Sequence, residues 1–259
     1  MGMKHLASFF TLTLLSCISC RAPQAVHSTA GFTVEAKTED MARRSQYVPF
    51  FARGQQQVEA FFGKSYARPF TVVIHPSRAA LDSCWQQDWK MPDFRSECWM
   101  VASGVASRLD LLSPRVWGSA SCEHDWQDSI AAQRLITHEL VHVYHGQLNP
   151  SPDFSDTDRI DWFVEGLAVY ASGQCDALRM KGVADWLKDH PAPASLDVFW
   201  SGKHKYGLSG SVVMFLDARL GRKALLQMLA FNKKEQVLQA ASMTEPELLQ
   251  AWAEWMRKR

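Results

Sequence analysis

Apolar and polar positions divide the chain into a short strand-bearing stretch and a long helical one. Phe70-Thr71-Val72-Val73-Ile74-His75 is β-branched and bounded by Pro69 and Pro76, which predicts a strand. Two further apolar runs, at 99–102 and 109–112, are strand candidates. Ahead of them, residues 39–63 carry a helical pattern that turns Phe50, Phe51, Val58, Phe61 and Phe62 to the core. Pro49 and Gly54 predict a break in it, because proline removes a helix hydrogen bond and clashes with the preceding turn. The polar segment 78–98, with Trp85 and Trp89, reads as loops and a short helix.

Beyond residue 128 the period is helical. A helix is predicted over 130–146, capped by Asp128 or Ser129 and stopped at Gly146. Residues 149–158 are a loop by composition. Helices follow near 161–170, at 177–189 and from 204 to Gly221, with Pro191 and Pro193 breaking the chain between the last two. Thr244, Pro246 and Glu247 form a capping box that opens a final helix.

The first of these helices contains His138-Glu139-Leu140-Val141-His142. Two histidines four residues apart lie one turn apart on one helix face, so both imidazoles can reach one ion, and imidazole suits zinc. Glu139 stands beside the first histidine, within reach of a water on that ion, as a general base needs to be. The flanking Ile136, Leu140, Val141 and Val143 bury the helix, and buried polar groups are costly without partners. A catalytic zinc usually takes a third protein ligand. Glu165 is the best candidate, with 22 residues between it and His142, at the start of a second apolar helix. Gly166 and Ala168 beside it are small enough for two helices to approach closely.

His138-Glu139-x-x-His142 followed by Trp162-Phe163-x-Glu165-Gly166-x-Ala168-x-Tyr170 resembles the gluzincin metallopeptidases, and among them the small bacterial peptidase MA-like domains. The resemblance covers about residues 130–258. It implies an α+β, zincin-like fold: a small N-terminal mixed sheet, then a mainly helical half carrying the His-Glu-x-x-His helix and the glutamate helix. It implies one Zn²⁺ per chain on His138, His142 and Glu165, with Glu139 as general base. A sheet edge would bind an extended peptide or protein substrate by strand addition. Tyr206 or His204 would donate to the oxyanion, as a Tyr or His does in many gluzincins. The metzincin pattern is absent, since His145 and Leu148 stand where it needs Gly and His. His145 reads as a supporting or helix-end residue, and Asp161 as an N-cap or a partner for a ligand histidine.

Composition places this site in a compartment. The 259 residues carry a net charge of +1, which gives no support for nucleic-acid binding. Lys4 and His5 precede an apolar run from 6 to 15, too short to span a membrane, and residues 1–20 read as a secretory signal. Cys17 or Cys20 is a candidate lipid anchor on the periplasmic side of the cell envelope. Residues 21–38, above all the run 21–33, read as a linker to a single domain at 39–259. Cys84, Cys98, Cys122 and Cys175 suggest two disulfides, most simply Cys84–Cys98 and Cys122–Cys175. The expected activity is therefore zinc-dependent peptide hydrolysis. Hydrolysis of a non-peptide cell-wall amide and a catalytically weak zinc-binding scaffold are the alternatives.

Overall fold

The sheet begins where the sequence suggests a linker. β1 (Ala25–Ser28) and β2 (Phe32–Ala36) pair antiparallel. β2 then runs parallel to β3 (Phe70–His75), the strand expected from the sequence. Phe32, Val34 and Ala36 alternate into the core between half-exposed Thr33 and Glu35, a period-two pattern only five residues long. The computed structural model describes residues 25–259, so the signal segment and its Cys17 and Cys20 lie outside the described residues. β4 (Ala102–Val105) and β5 (Arg108–Leu112) complete a five-stranded mixed sheet in the order β1-β2-β3-β5-β4. β5 lies parallel to β3 and antiparallel to β4. The expected strand at 99–102 is shifted onward, so that Gly104 pairs with Leu109.

α1 (Thr38–Met41) and α2 (Arg44–Phe62) follow β2. The break falls at 42–43 rather than at Pro49 or Gly54. Pro49 sits early in α2, where its missing N–H costs one bond, and Gly54 is buried where α2 packs on the helix carrying the histidines. α3 (Arg78–Asp88) and α4 (Trp117–Ala120) flank β4 and β5 in sequence. The helical half is α5 (Ser129–Leu148), α6 (Asp161–Ala171), α7 (Ala177–Asp189), α8 (Lys205–Leu220), α9 (Arg222–Met228), α10 (Lys234–Ala241) and α11 (Glu245–Arg257). Thr244 and Glu247 make the expected capping box on α11. The architecture is α+β.

One face of the sheet, with Val72, Ile74, Leu109 and Leu111, packs under α2 and α5 through Phe51, Val58, Ile136, Leu140 and Val143, all fully buried. Each such side chain contributes about 1.5–3 kcal/mol relative to exposure. The alternate positions of β3 and β5, including His75 and Asp110, face α3. α6 and α8 pack tightly: a Cβ on Gly166 would lie 2.4 Å from the Ser209 carbonyl oxygen, so only glycine allows this crossing.

The disulfide pairing differs from the expected one. Cys98 bonds Cys122, and Cys84 and Cys175 are free thiols. Cys84 is on α3 facing β5, and Cys175 packs against Gly210 of α8, so neither approaches a second cysteine. Arg78 clamps the same loop, donating to Ser96 Oγ and to the Glu97, Cys98, Met100 and Ala120 carbonyls.

Candidate metal centre

α5 starts at the expected cap: Asp128 Oδ1 accepts from the Ile130 and Ala131 amides at 3.2 and 3.0 Å. The helix runs two residues past Gly146 and is buried continuously from Ile136 to Gly146. The reason is β4, which crosses directly over it. A Cβ on Gly104 would stand 2.2 Å from the Glu139 carbonyl oxygen and 3.1 Å from His142 Cβ. Any other residue there would push the sheet edge off the helix.

This packing brings the sequence-predicted residues together. His138 and His142 project from one face with their Nε2 atoms 3.1 Å apart. Glu165, in the second turn of α6, sets Oε2 at 3.3 Å from His138 Nε2 and Oε1 at 3.6 Å from His142 Nε2. A tetrahedral zinc with ligand distances of about 2.0–2.2 Å holds its donors about 3.3–3.5 Å apart. The three atoms thus fit one ion without rearrangement. His138 Nδ1 lies 3.2 Å from Gln174 Oε1. That bond requires the proton on Nδ1 and leaves the Nε2 lone pair free for a metal. His142 Nδ1 is buried and has no partner among the described residues.

Burial opposes charge on Glu165, yet His142 and His138 hold its carboxyl well below the usual range. Burial would lower His142, but Glu165 and Glu139 raise it overall. Glu139 is 7% exposed at the foot of the cleft. Burial raises its pKa, and His138, His142 and a hydrogen bond from the Gly104 N–H counter part of that rise. A carboxylate raised in this way is a better proton acceptor than a free glutamate.

The centre opens on a cleft of about 480 Å³. β4, an edge of the sheet, lines one wall; Phe154 and the N-terminal turns of α7 and α8 line others. Tyr206 faces the centre, its ring 6.3 Å from that of His138. Burial, then Glu165 and Glu139, hold its phenol protonated far above neutral pH. His204 turns away toward Trp186 and does not line the cleft. Asp161 is the first residue of α6 rather than its cap, and it makes no hydrogen bond to either histidine. His145 is buried one turn beyond, with Nε2 3.3 Å from Asn149 Nδ2. His124 lines the cleft wall, its Nε2 3.0 Å from the Trp99 carbonyl. Gln174 and Arg179, which also line the cleft, carried no signal in the sequence: each is a single polar residue outside any motif.

A second gathering of donor atoms lies under α3. His75 Nε2 is 2.7 Å from Asp110 Oδ1, and Cys84 Sγ is 3.7 Å from the same oxygen. Asp110 Oδ2 accepts from Arg108 Nε at 2.7 Å, and Arg108 Nη2 reaches Cys84 Sγ at 3.4 Å and pairs with Asp88.

No protein-family model matches the chain, and no curated protein is similar to it.

Proposed function

We propose that this protein is an exported zinc-dependent peptidase of the gluzincin type, with a zincin-like fold. The observation that carries the reading is the set of three donors 3.1, 3.3 and 3.6 Å apart beside a buried glutamate that makes no ion pair among the described residues. His138, His142 and Glu165 would hold the ion. When bound, zinc supplies Lewis acidity, lowering the pKa of water and polarising a carbonyl. Glu139 takes the proton of the attacking water and delivers it to the leaving amine. Tyr206, protonated and facing the centre, donates to the developing oxyanion. Gln174 keeps His138 in the tautomer that ligation needs.

β4 supports a peptide over a non-peptide amide as the substrate. It is an edge strand that lines the cleft, and an extended peptide can add to such an edge. The Cys98–Cys122 bond fits an oxidising compartment, in keeping with a signal segment and a lipid anchor at Cys17 or Cys20.

The test is zinc content together with cleavage of a mixed peptide pool, followed by mass spectrometry, for the natural sequence and Glu139→Gln. The expected result is one zinc in both and cleavage slower by about 10²–10⁴-fold in the variant. Equal cleavage by the two proteins, or no zinc in either, sinks the reading.

A further inference from the structure

Arg179 is the one lysine or arginine among the described residues that line the cleft. The other charged residues there are acids: Glu123, Asp153 and Asp161, besides Glu139 and Glu165 of the centre. Arg179 pairs with none of them. Its backbone N–H donates to the α7 cap Asp176 at 2.9 Å, but its guanidinium makes no hydrogen bond or ion pair among the described residues. The neighbouring Arg134 shows the contrast, with Nη1 2.8 Å from Asp176 Oδ2. The Asp176 carboxylate, which caps the helix that carries Arg179, thus pairs with another arginine.

Its side chain is positioned all the same. The Arg179 stem runs along Gly207 in the first turn of α8, which a Cβ would crowd. It stands close enough to Tyr206 that its charge offsets part of the rise that burial, Glu165 and Glu139 impose on that phenol. It is half-buried, so its charge is less screened by solvent than one on an open surface. A guanidinium matches a carboxylate in planar, two-bonded geometry.

We propose that Arg179 binds a carboxylate of the substrate, and that the cleft selects peptides carrying one near the scissile bond. This rests on the hydrolase reading above and extends it to substrate class. The acids around the cleft repel anions generally, so selectivity comes from the one register that sets a carboxylate on Arg179. A chain-terminal carboxylate and an acidic side chain offer the same chemistry.

The experiment uses the zinc-loaded full chain, with Arg179→Gln and Arg179→Lys beside it. Zinc content and melting temperature establish that the variants are folded. One pair of peptide pools differs only in ending in a free carboxylate or a carboxamide. A second pair, all carboxamide-ended, differs in carrying Glu or Gln at internal positions. The natural sequence should favour the carboxylate member of one pair by about tenfold or more in kcat/KM. Arg179→Gln should level the two and Arg179→Lys should keep part of the preference. Selectivity in the first pair identifies a chain terminus, and in the second an acidic side chain. Equal rates within both pairs, or a preference that survives in Arg179→Gln, overturn the assignment and leave the hydrolase standing. If nothing is cleaved, binding of the same pools to Glu139→Gln decides. Carboxylate-selective binding keeps Arg179 and sinks the hydrolase, whereas no selective binding removes both.

Discussion

The His138–His142–Glu165 centre and the His75–Cys84–Asp110 cluster use overlapping residue types and lie on opposite faces of one sheet. What separates them is the charge already in place. Around Asp110, both carboxylate oxygens are taken: His75 meets one at 2.7 Å and Arg108 the other at 2.7 Å. Arg108 also reaches Cys84 and Asp88, so a cation stands where a metal would. At the other centre no lysine or arginine among the described residues bonds to a donor atom, and one imidazole is fixed with its lone pair inward. Similar donor types thus form an ion-paired cluster in one place and a candidate metal site in the other, according to whether a cation is already bonded to them.

The sharpest way to break this contrast is to delete one donor from each. His138→Ala should abolish zinc binding, while Cys84→Ser should keep one zinc per chain by elemental analysis. A loss of zinc in Cys84→Ser would make the arginine-filled cluster a metal site after all. Burial, followed by Asp110, pushes the Cys84 thiol up to about 12, so in the natural protein it should label slowly with iodoacetamide at pH 8, with or without zinc.

A smaller effect separates the two in stability. Asp110→Asn leaves Arg108 and its partners without their buried countercharge and should cost about 3 kcal/mol in urea unfolding, with zinc content unchanged. A cost near zero would mean that the cluster contributes nothing to the fold.

His145 gives the case of a buried histidine with neither metal nor carboxylate. Burial, then His142, lower its pKa to about 3. Unfolded, it titrates near 6.5. As pH falls from about 6.5 toward 3, the unfolded chain takes up a proton that the folded one refuses. Stability therefore falls, by at most about 1.4 kcal/mol per pH unit. Measured in the His138→Ala background, where zinc linkage is gone, this slope between pH 7 and 5 should shrink in His145→Phe. An unchanged slope would assign it to other groups.

The candidate metal centre was legible in the sequence because its signal is local. Helix spacing aligned His138 with His142, Asp128 marked the start of α5, and Glu165 with Gly166 and Ala168 marked a helix built for close packing. α7 and the α11 capping box were legible for the same reason. What escaped was set by partners distant in sequence. β1 and β2 became strands only by pairing onto β3. β4 is Ala-Ser-Gly-Val, with little strand preference of its own, and holds its place because Gly104 can touch α5. Cys98 found Cys122 through the Arg78 clamp, an arrangement that spacing does not encode. Gln174 and Arg179 reach the cleft from a loop and a helix start that follow α6.

The Cys98–Cys122 bond closes a ring across a sequence separation of 24, and both cysteines are exposed. Closing a loop of that size stabilises by about 3 kcal/mol. Trp99, just inside the ring, and His124, just outside it, meet on the cleft wall, whereas α5 and α6 sit deep in the core. Reduction should therefore loosen the wall and leave His138, His142 and Glu165 in place.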